Sequence, residues 1–148
     1  MRWTARRFGW IVKVNYFWGG KSAAIAWDSN WGKMTKITSA GSSSTGTIRP
    51  FGLDCSGFVT WAFVNAGLNA NSIGHGTNTQ NGNCTRIDWS NAQAGDLAFY
   101  NDLSHVGIVA GRDTSGNVLI IHCNSGANNV SISSISGFGY AARPNSLH

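Results

Sequence analysis

The clearest helical pattern in the chain runs from Asp54, where Phe58, Trp61, Ala62 and Asn65 recur at three- and four-residue steps. Asp54 is a suitable N-cap and Gly67 a suitable C-terminal stop, so Cys55 is expected in the first helical turn. A mixed apolar pattern over residues 8–18 predicts an earlier helix, ended by Gly19 and Gly20. Residues 21–51 read as a long irregular connection, and residues 69–94 as loop rich in Asn, Gly and Thr. Short strands follow at Leu97 to Tyr100, Val106 to Ala110, Val118 to Cys123, Val130 to Ile135 and Gly139 to Arg143. Helices first and then an antiparallel sheet is an α+β pattern.

A chain of 148 residues suits one domain with one core. Only 11% of residues are charged, but the composition does not suggest disorder, because seven Trp and seven Phe supply apolar anchors. Nineteen glycines with many Ser, Thr and Asn suggest a secreted-type surface. The net charge of +5 favours anionic surroundings. Apart from Arg2, Arg6 and Arg7 the positive charges are scattered, without the basic stripe of a nucleic-acid reader, and no nucleic-acid partner is expected. No apolar run reaches the roughly 20 residues that span a bilayer. The N-terminus lacks a signal-peptide pattern, so the protein either stays inside its cell or is a module of a longer exported chain. No heptad or apolar stripe marks an oligomer interface, and a monomer is expected.

Three cysteines, Cys55, Cys84 and Cys123, leave one thiol over in an extracellular setting. Cys84, Cys123, His75 and His122 match no usual zinc spacing, and neither a metal nor a cofactor is expected. A disulfide between Cys84 and Cys123 remains open, because sequence does not set the distance. Cys55 at a helix N-terminus sits in the positive end of the helix dipole, which favours thiolate, and the first-turn amides, including that of Ser56, face a developing oxyanion. Ser56 and Gly57 keep the turn narrow for substrate approach. The alternative is that Cys55 is a small buried core residue. Pairing Ala110 with Val118 in a hairpin sets His105 opposite Cys123, and a one-residue bulge sets it against His122. A Cys–His pair with a third polar group orienting the His is the usual thiol acyl-transfer architecture. The alternative is two unrelated strand-end histidines.

These pieces resemble a known family. Tyr16-Phe17-Trp18-Gly19-Gly20 resembles the YxWGG motif of NlpC/P60 peptidases, and Asp54-Cys55-Ser56-Gly57-Phe58-Val59 their DCSGFV helix start. Gly95-Asp96-Leu97 and His105-Val106-Gly107-Ile108 resemble their GDL turn and HVGI strand, and Thr77 to Gln80 more weakly their T-x-x-Q stretch. Ile121-His122 stands where the third residue of the triad is found. The motifs keep the family's order over about residues 11–143.

The resemblance implies a papain-like α+β fold, with N-terminal helices packed on a central antiparallel sheet in a single catalytic domain over residues 1–148. It implies a thiol hydrolase cutting peptidoglycan stem peptides, often between D-glutamate and a diamino acid, in the cell wall or outside the cell. Carried over, Cys55 is the nucleophile, His105 the base and His122 the orienting residue. Tyr16 lies beside the thiol, near oxyanion or substrate, or is a core aromatic. Asp54 is read as a helix cap and Asp96 as fixing its turn. The gap from Gly20 to Asp54 is longer than usual for the family, so the insertion at about 21–51 is expected to add walls or a lid. Its Trp27 and Trp31 either contact substrate or anchor the loop on the core. The same site on another acyl substrate, as an amidase, acyltransferase or toxin, and a non-catalytic wall-binding module are the competing readings.

Overall fold

The computed structural model describes residues 13–147. Its main sheet is built from β3 (Cys84–Ile87), β4 (Leu97–Phe99), β5 (Val106–Arg112), β6 (Val118–Asn124), β7 (Asn129–Ser133) and β8 (Tyr140–Pro144). The strands lie in the order β3-β8-β4-β5-β6-β7, with every neighbouring pair antiparallel. Alternate residues of each strand point to opposite faces. One face carries Leu97, Phe99, Val106, Ile108, Ile121 and Cys123 against the helix α1 (Cys55–Asn65). The other carries Ala98, Val109, Val118, Ile120 and Ala141, with Phe138 over them.

Helix α1 begins where its cap residue dictates. Asp54 accepts the Gly57 amide at 2.7 Å through Oδ1 and the Gly19 amide at 3.1 Å through Oδ2. Gly57 does not open the turn to substrate as the sequence suggested. A Cβ there would fall on the carbonyl oxygen of Gly20, and a Cβ on Gly20 would fall on that of Gly52. These glycines let three backbone segments meet behind the helix start.

The expected helix over 8–18 is not formed in its described part. Residues 13–18 are non-helical, with Tyr16 bridged in parallel to Leu53, and residues 8–12 lie outside the described residues. The Asn128 and Asn129 side chains accept the Tyr16 and Val14 amides, which holds this segment extended beside the sheet. Residues 69–94 are not all loop. They hold the short helix α2 (Thr77–Gly82) and the strand β3. Nor is the insertion wholly irregular, since β1 (Met34–Lys36) pairs with β2 (Ile48–Pro50).

Trp31, only 6% exposed, packs edge-on against Trp61 of α1, and Trp27 packs edge-on against Trp31 while remaining 47% exposed. Asn65 ties Ala24 and Ala26 to the last turn of α1. At 1.5 Å per residue, Asn65 lies roughly 15 Å along the helix from Cys55. Residues 24–31 of the insertion are therefore stitched toward the end of α1 remote from the thiol, whereas Ala40 accepts from Trp18 Nε1 and Phe51 packs edge-on against Phe17.

Candidate active site

Cys55 opens α1 against the place where β5 and β6 part. Their ladder runs from Arg112–Val118 through a bulge at Ala110 to Ile108–Ile121. Beyond it the Val106 amide turns to the Cys55 sulfur, as does the Ser56 amide of the first helical turn. Thr77 Oγ1, at the start of α2, lies 4.0 Å from Sγ. Behind the thiol, Gln80 of α2 is fully buried and its Nε2 donates to Ser56 O at 3.0 Å, Thr60 Oγ1 at 3.0 Å and Gly74 O at 3.2 Å.

The helix dipole does not decide the protonation of Cys55. Burial pushes its thiol up, and the Asp54 carboxylate next to it pushes the same way; the Val106 and Ser56 amides and the Thr77 hydroxyl only oppose this. The expectation of a favoured thiolate is thereby corrected. A sequence displays the helix N-terminus but not the desolvation of the sulfur.

The two imidazoles meet, through a register other than the expected one. Arg112 rather than Ala110 pairs with Val118, and the bulge brings Gly107 across from His122. A Cβ on Gly107 would come 3.1 Å from His122 Cβ, so the glycine leaves room on this face. The His105 ring reaches across to place Nε2 at 2.7 Å from His122 Nδ1. Tyr100 and Phe138 pack on the pair, their rings 5.0 and 5.7 Å from that of His105. Burial, then the neighbouring His122, lowers the His105 pKa to about 4, and burial lowers that of His122. Both rings are neutral at pH 7. His122 Nε2 lies 3.0 Å from Ser133 Oγ, whose hydroxyl donates to Ser134 O at 3.0 Å. Cys55 is brought to the backbone of the residue after His105, and no hydrogen bond joins its sulfur to the His105 ring.

A cleft of about 200 Å³ opens beside His105, lined by Tyr16, Tyr100, Ser104, His105, Asn124 and Ser125. None of its lining comes from residues 21–51, so the wall or lid expected of the insertion is not a wall of this cleft. Trp27 and Trp31 belong to the aromatic anchor instead. Ser56 is buried, with its hydroxyl 3.3 Å from Asp54 Oδ1, so what it presents to the thiol is its amide. Burial pushes the Tyr16 phenol up, as do the neighbouring Cys55 and Asp54, and it stays protonated.

Cys123 faces the helix side of the sheet and donates its thiol to Leu53 O at 3.2 Å. Cys84 lies on β3, four strand positions from β6. At about 4.8 Å per strand they are roughly 19 Å apart, which excludes the Cys84–Cys123 disulfide. All three cysteines are free. The sequence reading missed Tyr100, Phe138 and Ser133. Ser133 carries a signal only in retrospect, through its alternation with Ser131 along β7.

The sequence model of the NlpC/P60 family matches residues 13–146. A probable endopeptidase p60 of Listeria grayi is 39% identical over 94 residues, which is 62% of this chain but 16% of that protein. The chain thus spans about a sixth of that relative's length. The structure of the peptidoglycan hydrolase RipB of Mycobacterium tuberculosis superposes with a TM-score of 0.61 at 26% identity, over 88% of this chain and 57% of that one. RipD of the same organism, described as a non-catalytic NlpC/p60 domain protein adapted to peptidoglycan binding, shares the fold. Its TM-score is 0.54 at 21% identity, over 78% of this chain and 88% of that one.

Proposed function

The chain belongs to the NlpC/P60 family, and on that footing we propose that it is a cysteine endopeptidase hydrolysing amide bonds of peptidoglycan stem peptides, at D-glutamyl–diamino acid linkages. The observation that carries this reading is the His105–His122 contact at 2.7 Å, standing one residue from the amide that faces Cys55. The reading assigns Cys55 as nucleophile and His105 as neutral base, with the Val106 and Ser56 N–H groups turned to the sulfur.

In the proposed reaction Cys55 Sγ attacks the scissile carbonyl carbon while its proton passes to Nδ1 of His105. The carbonyl oxygen takes up negative charge, met by the Ser56 amide at the helix start and by the Tyr16 hydroxyl. His105 then gives its proton to the leaving amine as the C–N bond breaks, leaving a thioester on Cys55. Water adds to the thioester, His105 takes its proton, and the C–S bond breaks to release the acid and the thiol. His122 holds the His105 ring and its tautomer throughout. A neutral thiol beside a neutral imidazole makes this general-base attack rather than attack by a resting thiolate. The reading carries a wall or extracellular location and a stem-peptide partner. The polar, uncharged cleft beside His105 suits the amide backbone of such a peptide.

The buried, elevated thiol is the observation that favours a second reading, a wall-binding module without chemistry. Digestion of several muramidase-treated peptidoglycans, read by mass spectrometry, separates the two. Fragments cut within the stem peptide support the peptidase and name the bond. Intact muropeptides that co-sediment with the protein support the module.

A further inference from the structure

The chain of hydrogen bonds behind His105 does not stop at His122, and its far end decides its direction. A serine hydroxyl has one proton, and that of Ser133 is given to Ser134 O at 3.0 Å. Ser133 Oγ can then only accept from His122 Nε2, 3.0 Å away, so His122 carries its proton on Nε2. A neutral imidazole holds one proton, which leaves His122 Nδ1 as an acceptor. His105 Nε2, at 2.7 Å, must therefore be the donor, and the bare nitrogen of His105 is Nδ1. Were the serine proton turned toward His122, every bond would reverse. Nδ1 of His105 would then hold a proton and could not accept one.

We propose that Ser133 is a positioning residue that fixes the tautomers of His122 and His105 and so keeps Nδ1 of His105 free to act as base. Ser133 pairs with Ile120 in the β6–β7 ladder and shares a face with His122, two residues on. It is half-buried, near enough to solvent that a water can replace it partially, and it makes no contact with the cleft beside His105. The catalytic part of the proposal rests on the peptidase reading, whereas the tautomer part does not.

The test compares the wild-type chain with Ser133→Ala and Ser133→Thr. Long-range proton–nitrogen NMR of the labelled protein near pH 7 reads the tautomer of each ring. The wild type is expected to show Nε2–H on both His105 and His122. Ser133→Ala is expected to shift His122 toward a mixture of tautomers, and Ser133→Thr to restore the wild-type pattern. With muropeptide substrate, Ser133→Ala is expected to lower kcat between about twofold and tenfold with KM unchanged, the size of one neutral hydrogen bond. Unchanged ring spectra in Ser133→Ala overturn the proposal, as does a wild-type spectrum with Nδ1–H on His105. A wild type that cuts no wall fails the peptidase reading, and the spectra still decide the role of Ser133.

Discussion

His105 Nε2 lies 2.7 Å from Nδ1 of His122, although it is Gly107 that lies across from His122 on the neighbouring strand. The contact is diagonal, and a Cβ on Gly107 would crowd Ile120 Cγ2 and His122 Cβ beside it. The contact keeps two imidazoles, both neutral, against Tyr100 and Phe138 at the end of the sheet where Cys55 enters.

That neutrality has a pH signature. His105 titrates at about 4 in the folded chain, against 6.5 ordinarily, and His122 is lowered too. Between those values the unfolded chain binds protons that the folded chain does not. The stability from keeping the rings neutral is therefore whole above pH 6.5 and is lost as pH falls toward 4. Urea midpoints should decline across this window, and His105→Gln should decline less. A midpoint that rises on acidification over that range contradicts the assignment. Hydrolysis should likewise persist to about pH 5, where an ordinary histidine is already protonated.

Gly57→Ala should destabilise the protein. Within a helix this change ordinarily gains up to about 1 kcal/mol. Here the new methyl group meets the Gly20 carbonyl oxygen, backbone that has no rotamer to give. Overpacking of this kind costs about 1–3 kcal/mol. A denaturation midpoint above that of the wild type would show that the segment behind the helix can move away.

Gln80→Leu tests the brace behind the thiol. It removes the donor shared by Ser56 O, Thr60 Oγ1 and Gly74 O. Ser56 O and Gly74 O keep the Thr60 hydroxyl, at 3.2 and 2.8 Å, so the cost is that of the lost hydrogen bonds, about 0.5–1.5 kcal/mol each. The loss should appear in the denaturant midpoint, with the m-value unchanged.

The cysteines should stay reduced in air. Thiol titration of the denatured protein is expected to find all three, and non-reducing peptide mapping no Cys84–Cys123 link. Recovery of that linked peptide would contradict the strand order, which sets them four strands apart.

Much of this was legible in the sequence, for identifiable reasons. Helix α1 declared itself because Asp54, its apolar steps and Gly67 agree. Strands β4 to β8 were legible from apolar runs between turn residues, with ends shifted by one or two positions. Helix α2 was not, because Thr77–Gly82 is polar and of weak helix propensity, with only Gln80 buried. The segment 13–18 misled because its apolar residues pack as an extended strand beside Leu53, held by asparagines more than a hundred residues away. The meeting of His105 and His122 was anticipated, but the bulge at Ala110 shifts the register opposite to the expected way. The state of the Cys55 thiol was misjudged because burial and the Asp54 charge are tertiary facts.

The most direct test of the central claim is the rate of muropeptide cleavage by Cys55→Ala beside the wild type, with thermal unfolding showing that both are folded. The account predicts wild-type cleavage within the stem peptide, reduced at least about a thousandfold when the sulfur is removed. Cleavage of the same bond at a comparable rate by folded Cys55→Ala would contradict it.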